Sequence, residues 1–130
     1  MKAVIQRVNY SKLKIGGEVY SEIEKGLMIL LGITHNDTIN DIRWLSNKII
    51  NLRIFNDGDG IMNYSVKDIN GDIQVVSQFT LHAQTKKGNR PSYIEAAKGV
   101  VAENYYNLFV DEMTNMFNKK IKTGKFGSDM

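Results

Sequence analysis

The chain has 130 residues, a formal net charge of +3, 42% hydrophobic and 24% charged residues, and two histidines. That length and balance suit one globular domain and argue against disorder. The absence of cysteine removes disulfides, a thiolate nucleophile and Cys-type zinc sites.

The opening MKAVIQRVNY places Gln6 and Arg7 where a signal peptide would need its apolar run. Leu27 to Leu31, with Gly32 and Ile33, is too short an apolar stretch to cross a bilayer. The expectation is a cytoplasmic protein with no membrane partner. In residues 2–10 apolar groups fall on both sides of an extended chain, which predicts a strand covered on both faces. Arg7 lies within it, and a buried arginine must be paired.

Gly16-Gly17 predicts a hairpin turn between Lys12–Ile15 and Glu18–Ile23. The run after Gly26 predicts a central, fully buried strand. A helix follows, capped by Asn36 or Asp37, with Ile39, Ile42, Leu45, Ile49 and Leu52 at helical spacing. Residues 56–60, NDGDG, read as a solvated loop, since a calcium site would need further ligands and a closing glutamate. Asn70-Gly71 is a turn signal that leads into a strand over Asp72–Leu81.

Pro91 and Ser92 predict the start of a second helical region, Ser92 and Glu95 having the form of a capping box. Ala97, Val101, Tyr105, Leu108, Val110, Met113 and Phe117 form its apolar stripe, and Gly99 is a candidate break. The end, KKIKTGKFGSDM, reads as a turn and the start of a strand. The whole predicts a single α/β or α+β domain over residues 1–130, with a mixed sheet or barrel-like core and two main helical regions.

No metal site is predicted. His35 and His82 have no carboxylate at ligand spacing, and no phosphate-binding glycine loop is present. The most suggestive stretch is Ser77-Gln78-Phe79-Thr80-Leu81, an apolar strand turning polar. From spacing alone, an edge strand with polar groups in water is the commoner explanation. On an extended strand Thr80 and His82 share a face, but about 6 to 7 Å between Cβ atoms is awkward for a nucleophile and its base. Backbone N–H groups holding a developing oxyanion are easier to build. Two basic clusters, Lys86, Lys87 and Arg90, then Lys119, Lys120, Lys122 and Lys125, are expected to flank this strand end and to suit phosphate.

SQFTL at residues 77–81 resembles the SQxTL motif of the D-aminoacyl-tRNA deacylases. MKAVIQRV, Gly26-Leu27 with the run ending at Gly32, Lys48 through Leu52-Arg53-Ile54-Phe55, Lys87-Gly88-Asn89-Arg90-Pro91-Ser92, and Thr123-Gly124 through Phe126-Gly127 resemble the family in order along the chain. The resemblance implies the fold of that family. It implies hydrolysis of the ester joining a D-amino acid, or glycine mischarged on tRNA for alanine, to the terminal adenosine of tRNA.

It also implies a homodimer acting on the acceptor end of aminoacylated tRNA, with no cofactor and no metal. The backbone N–H groups of Phe79 and Thr80 would receive the carbonyl oxygen, and the ribose 2′-OH would assist. Ser77, Gln78, Leu81, Lys87, Arg90, Phe126 and Met130 would line the substrate, and Arg7 would serve at the subunit interface. The family commonly has tyrosine where His82 stands, so His82 receives no catalytic part. The family's NxGPxT motif is missing, for the sequence has no Gly-Pro pair. The expectation is therefore a domain truncated at its C-terminal strand. A non-catalytic nucleic-acid-binding module on the same fold is the alternative.

Overall fold

The computed structural model describes residues 1–130. Its centre is a four-stranded mixed sheet in the order β1, β4, β7, β8, formed by Lys2–Val8, Gly26–Gly32, Asp72–Ser77 and Lys122–Thr123. β1 runs antiparallel to β4, while β4–β7 and β7–β8 are parallel. Strands β2 (Ser11–Ile15) and β3 (Glu18–Ile23) form a hairpin, and so do β5 (Phe55–Asn56) and β6 (Met62–Tyr64). The parallel pairs require long crossovers, which helices α1 (Ile39–Asn51) and α2 (Gly99–Met116) supply. The expected mixed sheet with two helices is what the chain builds.

The continuous apolar run of β4 is central, as its composition demands. Leu27, Ile29 and Leu31 on one face are buried and join Ile73 and Val75 of β7 in the core. Ile42, Ile49 and Ile50 of α1 and Ala102, Tyr106, Phe109 and Met113 of α2 close over that face. On the other face Gln74 ties the β2–β3 hairpin to the sheet. Its amide donates to Ser21 Oγ at 2.7 Å, and its carbonyl oxygen accepts from Ser11 Oγ at 2.6 Å. A buried amide is tolerated because both ends are bonded.

Several expectations are corrected. β1 is not covered on both faces: it is an edge strand, and Val4 is 47% exposed. Arg7 is exposed rather than buried, and its guanidinium donates to Ile54 O at 2.7 Å and Asn56 Oδ1 at 3.3 Å. α1 is capped by Thr38 in a capping box with Asp41. Asp37 instead accepts from Thr34 N–H at 2.8 Å and pairs with the α-ammonium of Met1. Ile39, expected in the core stripe, is exposed.

The second helix begins at Gly99, not at Pro91 or Ser92. The segment before it is held extended, because Ser92 exchanges backbone hydrogen bonds with Gln84 and Ala97 N–H donates to Ile33 O. Glu95 spends its carboxylate on Gln84 and its carbonyl on Thr34, so no capping box forms. Local cap chemistry lost to these tertiary bonds. Ala97 is buried but lies ahead of the helix, and Val101 and Leu108 face outward.

Candidate functional site

β7 does not continue to Leu81. It stops at Ser77, and Phe79–His82 form one turn of 3₁₀ helix. Gln78 N–H makes the last bond to the neighbouring strand, donating to Leu31 O at 2.8 Å. The turn then closes through Leu81 N–H to Gln78 O at 3.3 Å and Ala83 N–H to Thr80 O at 3.1 Å. The first N–H groups of any helical turn have no partner inside it. Here those are the N–H groups of Phe79 and Thr80, side by side at the carboxyl end of a central strand. Such ends of parallel strands are where α/β sheets place their ligands.

The turn also changes which side chains meet. Thr80 Oγ1 accepts a hydrogen bond from Gln78 Nε2. His82 does not share an exposed face with Thr80: it is buried, and its Nε2 has no hydrogen-bond partner. The Thr80–His82 arrangement considered for an extended strand is therefore not built. Phe79 is 55% exposed and meets Tyr93 edge to face, with ring centroids 5.2 Å apart. Leu81 is partly buried, and its carbonyl accepts from Lys2 Nζ at 3.2 Å.

A cavity of about 760 Å³ opens beside the turn and takes in Ser77, Gln78 and Phe79 together with Phe126 and Met130. Five of the expected site residues thus share one space, and its volume falls within the range of ordinary ligand pockets. Its other walls were not legible in the sequence. They include Ser11–Lys14 of β2, Met28 and Leu30 of β4, and Ala97 and Ala102 before and within α2. Only the pairing of distant strands brings them there. Phe126 is held from behind by Tyr106, whose ring lies 5.7 Å away and whose hydroxyl donates to Val75 O at 2.7 Å. Burial pushes the Tyr106 hydroxyl up to about 12.

Thr80, Leu81, Lys87, Arg90 and Arg7 lie outside the cavity lining. Lys87 and Arg90 are in the exposed segment that follows the turn. Arg7 pairs with Leu27 and Ser77 with Leu31, so Arg7 sits four residues, about 13 Å, along the sheet from the end of β7. The second lysine cluster is dispersed, and Lys119 lies away from this site. Lys119 binds Asp72 and Asn70 at the opposite end of β7, Lys122 lies in β8 opposite Gln74, and Lys125 lines a separate, smaller cavity with Tyr20 and Tyr106. No group of three or more His, Cys, Asp or Glu side chains could hold a metal ion, and no helix is long and apolar enough to cross a membrane.

The fold and cavity define a class: α/β proteins with a donor-bearing site where parallel strands end. Comparison with known proteins is more specific. A family profile described as D-Tyr-tRNA(Tyr) deacylase matches residues 4–130. A protein of Flavobacterium psychrophilum named D-aminoacyl-tRNA deacylase is 56% identical over 130 residues, covering 100% of this chain and 87% of that protein. One of the same name from Bacteroides fragilis is 52% identical over the same shares.

A solved structure described as c-Myc DNA unwinding element binding protein superposes with a TM-score of 0.94 at 40% identity, over 99% of this chain and 87% of the other. A probable eukaryotic D-amino acid tRNA deacylase shares the fold, with a TM-score of 0.80 at 15% identity over 98% and 89%. The chain belongs to the D-aminoacyl-tRNA deacylase family of hydrolases.

Proposed function

We propose that this chain hydrolyses the ester of D-aminoacyl-tRNA, with the N–H groups of Phe79 and Thr80 receiving the carbonyl oxygen. Family membership supports the reaction, and the observation that carries the site is the pair of turn-starting amides beside the cavity. As water adds to the carbonyl carbon, the oxygen becomes an oxyanion, and two fixed donors stabilise it more than they stabilise the ground state. The intermediate collapses, breaking the bond to the ribose oxygen. That oxygen takes up a proton, and free amino acid and tRNA leave.

No side chain of the turn supplies a base. Thr80 Oγ1 is engaged by Gln78, and His82 is buried with its Nε2 unbonded. The neighbouring 2′-OH of the substrate assists instead by hydrogen-bonding and orienting the attacking water, whose proton passes to the leaving ribose oxygen. Ser77, Gln78 and Leu81 shape the turn's surroundings, and Phe126 and Met130 give the amino acid an apolar wall. Lys87 and Arg90 offer charge to phosphate from the exposed segment beyond. The same reading extends to glycine mischarged on tRNA for alanine, to a homodimer with Arg7 at its interface, and to a cytoplasmic enzyme. Family membership is what supports those extensions.

Thr80→Pro removes one N–H, and kcat should fall about 10²–10³-fold. Thr80→Ala keeps the N–H and should retain kcat within about threefold. A folded alanine variant that loses all deacylation would show that the hydroxyl, not the amide, is essential. A terminal 2′-deoxyribose should slow turnover, and undiminished turnover would exclude the substrate hydroxyl.

A second reading, a nucleic-acid-binding module without catalysis, is favoured by one observation: the 40% identical structure described as a DNA unwinding element binding protein. It requires salt-dependent binding with no ester cleavage. A deacylation assay on matched D- and L-aminoacyl-tRNA separates the two.

A further inference from the structure

Gly32 ends β4 and is buried against the 3₁₀ turn. It does not have a positive φ, so the backbone conformation there does not call for glycine. Space does. A Cβ built on Gly32 would lie 3.0 Å from Leu81 Cβ, 3.0 Å from His82 Cδ2 and 3.1 Å from Gln78 O. All three are tighter than ordinary van der Waals contact, so the neighbours would have to give by a few tenths of an ångström.

The three contacted residues bracket Phe79 and Thr80 in the chain. The adjacent Leu31 O accepts the Gln78 N–H at 2.8 Å. The end of β4 therefore holds the turn by one hydrogen bond and by the absence of one methyl group. At the far side Lys2 Nζ reaches Leu81 O at 3.2 Å. The seat of the turn is defined from two strands.

We propose that Gly32 is a positioning residue for the ester-cleaving site: it sets how closely the Phe79–Thr80 amides approach the strand end, and so where a carbonyl oxygen can be received. The inference rests on the functional reading above. A shift of a few tenths of an ångström is a small matter for folding, because the loop beyond the turn is exposed and can follow it. For donors that must meet an oxyanion at about 2.7–3.1 Å, it is large. The three atoms nearest the added methyl all belong to the turn or its first residue, and none to the cavity walls from β2 and α2.

The test is Gly32→Ala, assayed on D-aminoacyl-tRNA. The expected result is a fall in kcat of about tenfold or more, a KM within about twofold of wild type, and a thermal midpoint close to wild type. In amide NMR spectra the Phe79 and Thr80 signals should move while those of Ile73–Val76 stay. Packing alone would not produce that combination. Wild-type kcat with unmoved Phe79 and Thr80 signals overturns the proposal. So does a loss that falls on KM instead, or a variant that does not fold, which would assign Gly32 to the fold. A wild-type protein that cleaves no aminoacyl-tRNA defeats the functional reading itself, and the NMR arm then decides alone whether Gly32 seats the turn.

Discussion

The parallel pair β4–β7 has two unlike ends. Where the strands begin, they are locked. Asp72 N–H donates to Lys25 O at 3.0 Å, Glu24 N–H donates to Asp72 Oδ2 at 3.2 Å, and Lys119 Nζ reaches Asp72 Oδ1 at 3.1 Å. Gly26 lies so close that a Cβ there would fall 1.9 Å from Asp72 O. Where the strands finish, one bond from Gln78 N–H to Leu31 O closes the ladder, and the next two N–H groups begin a 3₁₀ turn. A Cβ on Gly32 at that end would meet its neighbours only at 3.0–3.1 Å. One end spends its polar groups on folding, and the other keeps donors free. Two glycines on one strand thus answer to different demands.

The largest effect expected from this contrast is at Gly26. Backbone cannot yield by about an ångström without breaking the pairing, so Gly26→Ala should cost about 3 kcal/mol or more. The thermal midpoint should then drop by about 10 °C. The kcat of the folded fraction should be unchanged. A midpoint near wild type would erase the distinction between the two ends.

A smaller effect is expected between the ends, at Tyr106. Tyr106→Phe removes the hydrogen bond to Val75 O and should cost about 1 kcal/mol. The sign with pH follows from burial, which raises the hydroxyl to about 12 in the folded chain against about 10 for an ordinary tyrosine. The unfolded chain loses this proton first, so the contribution is intact below about pH 10 and declines as pH rises toward 12. Denaturant melts of wild type and Tyr106→Phe should therefore converge over that interval. A constant difference would refute the assignment.

The smallest effect is expected at the locked end's surface. Lys119→Ala removes a partly exposed pair with Asp72 and should cost under about 1 kcal/mol. Added salt should shrink that difference. A cost of several kcal/mol would mean that charge, not the close approach of Gly26 and Asp72, holds this end.

Much of the architecture followed from local pattern. The β4 run could only be central, Gly16 and Gly17 supply the positive φ that their hairpin turn needs, and Asn70 takes a positive φ as the turn before β7. SQFTL and the segment around Phe126 marked residues that do share a cavity, in the case of Ser77, Gln78, Phe79, Phe126 and Met130. The errors came where tertiary bonds outweighed local preference. Ser92 and Glu95 have cap chemistry but spend it on Gln84 and Thr34, and Asp37 turns to Met1 while Thr38 takes the cap.

By itself, then, the amino-acid sequence determined which runs are buried, where the chain must turn and which family motifs it carries, because these depend on periodicity and on residues close in sequence. Only the tertiary structure decided that the polar stretch after Ser77 leaves the ladder as a 3₁₀ turn. It also decided that Lys119 belongs to the far end of β7, and that Gly32 lies under the turn. Those outcomes depend on how a strand end, a turn and a glycine separated by more than forty residues fit against one another. Contact geometry of that kind leaves no period in the sequence.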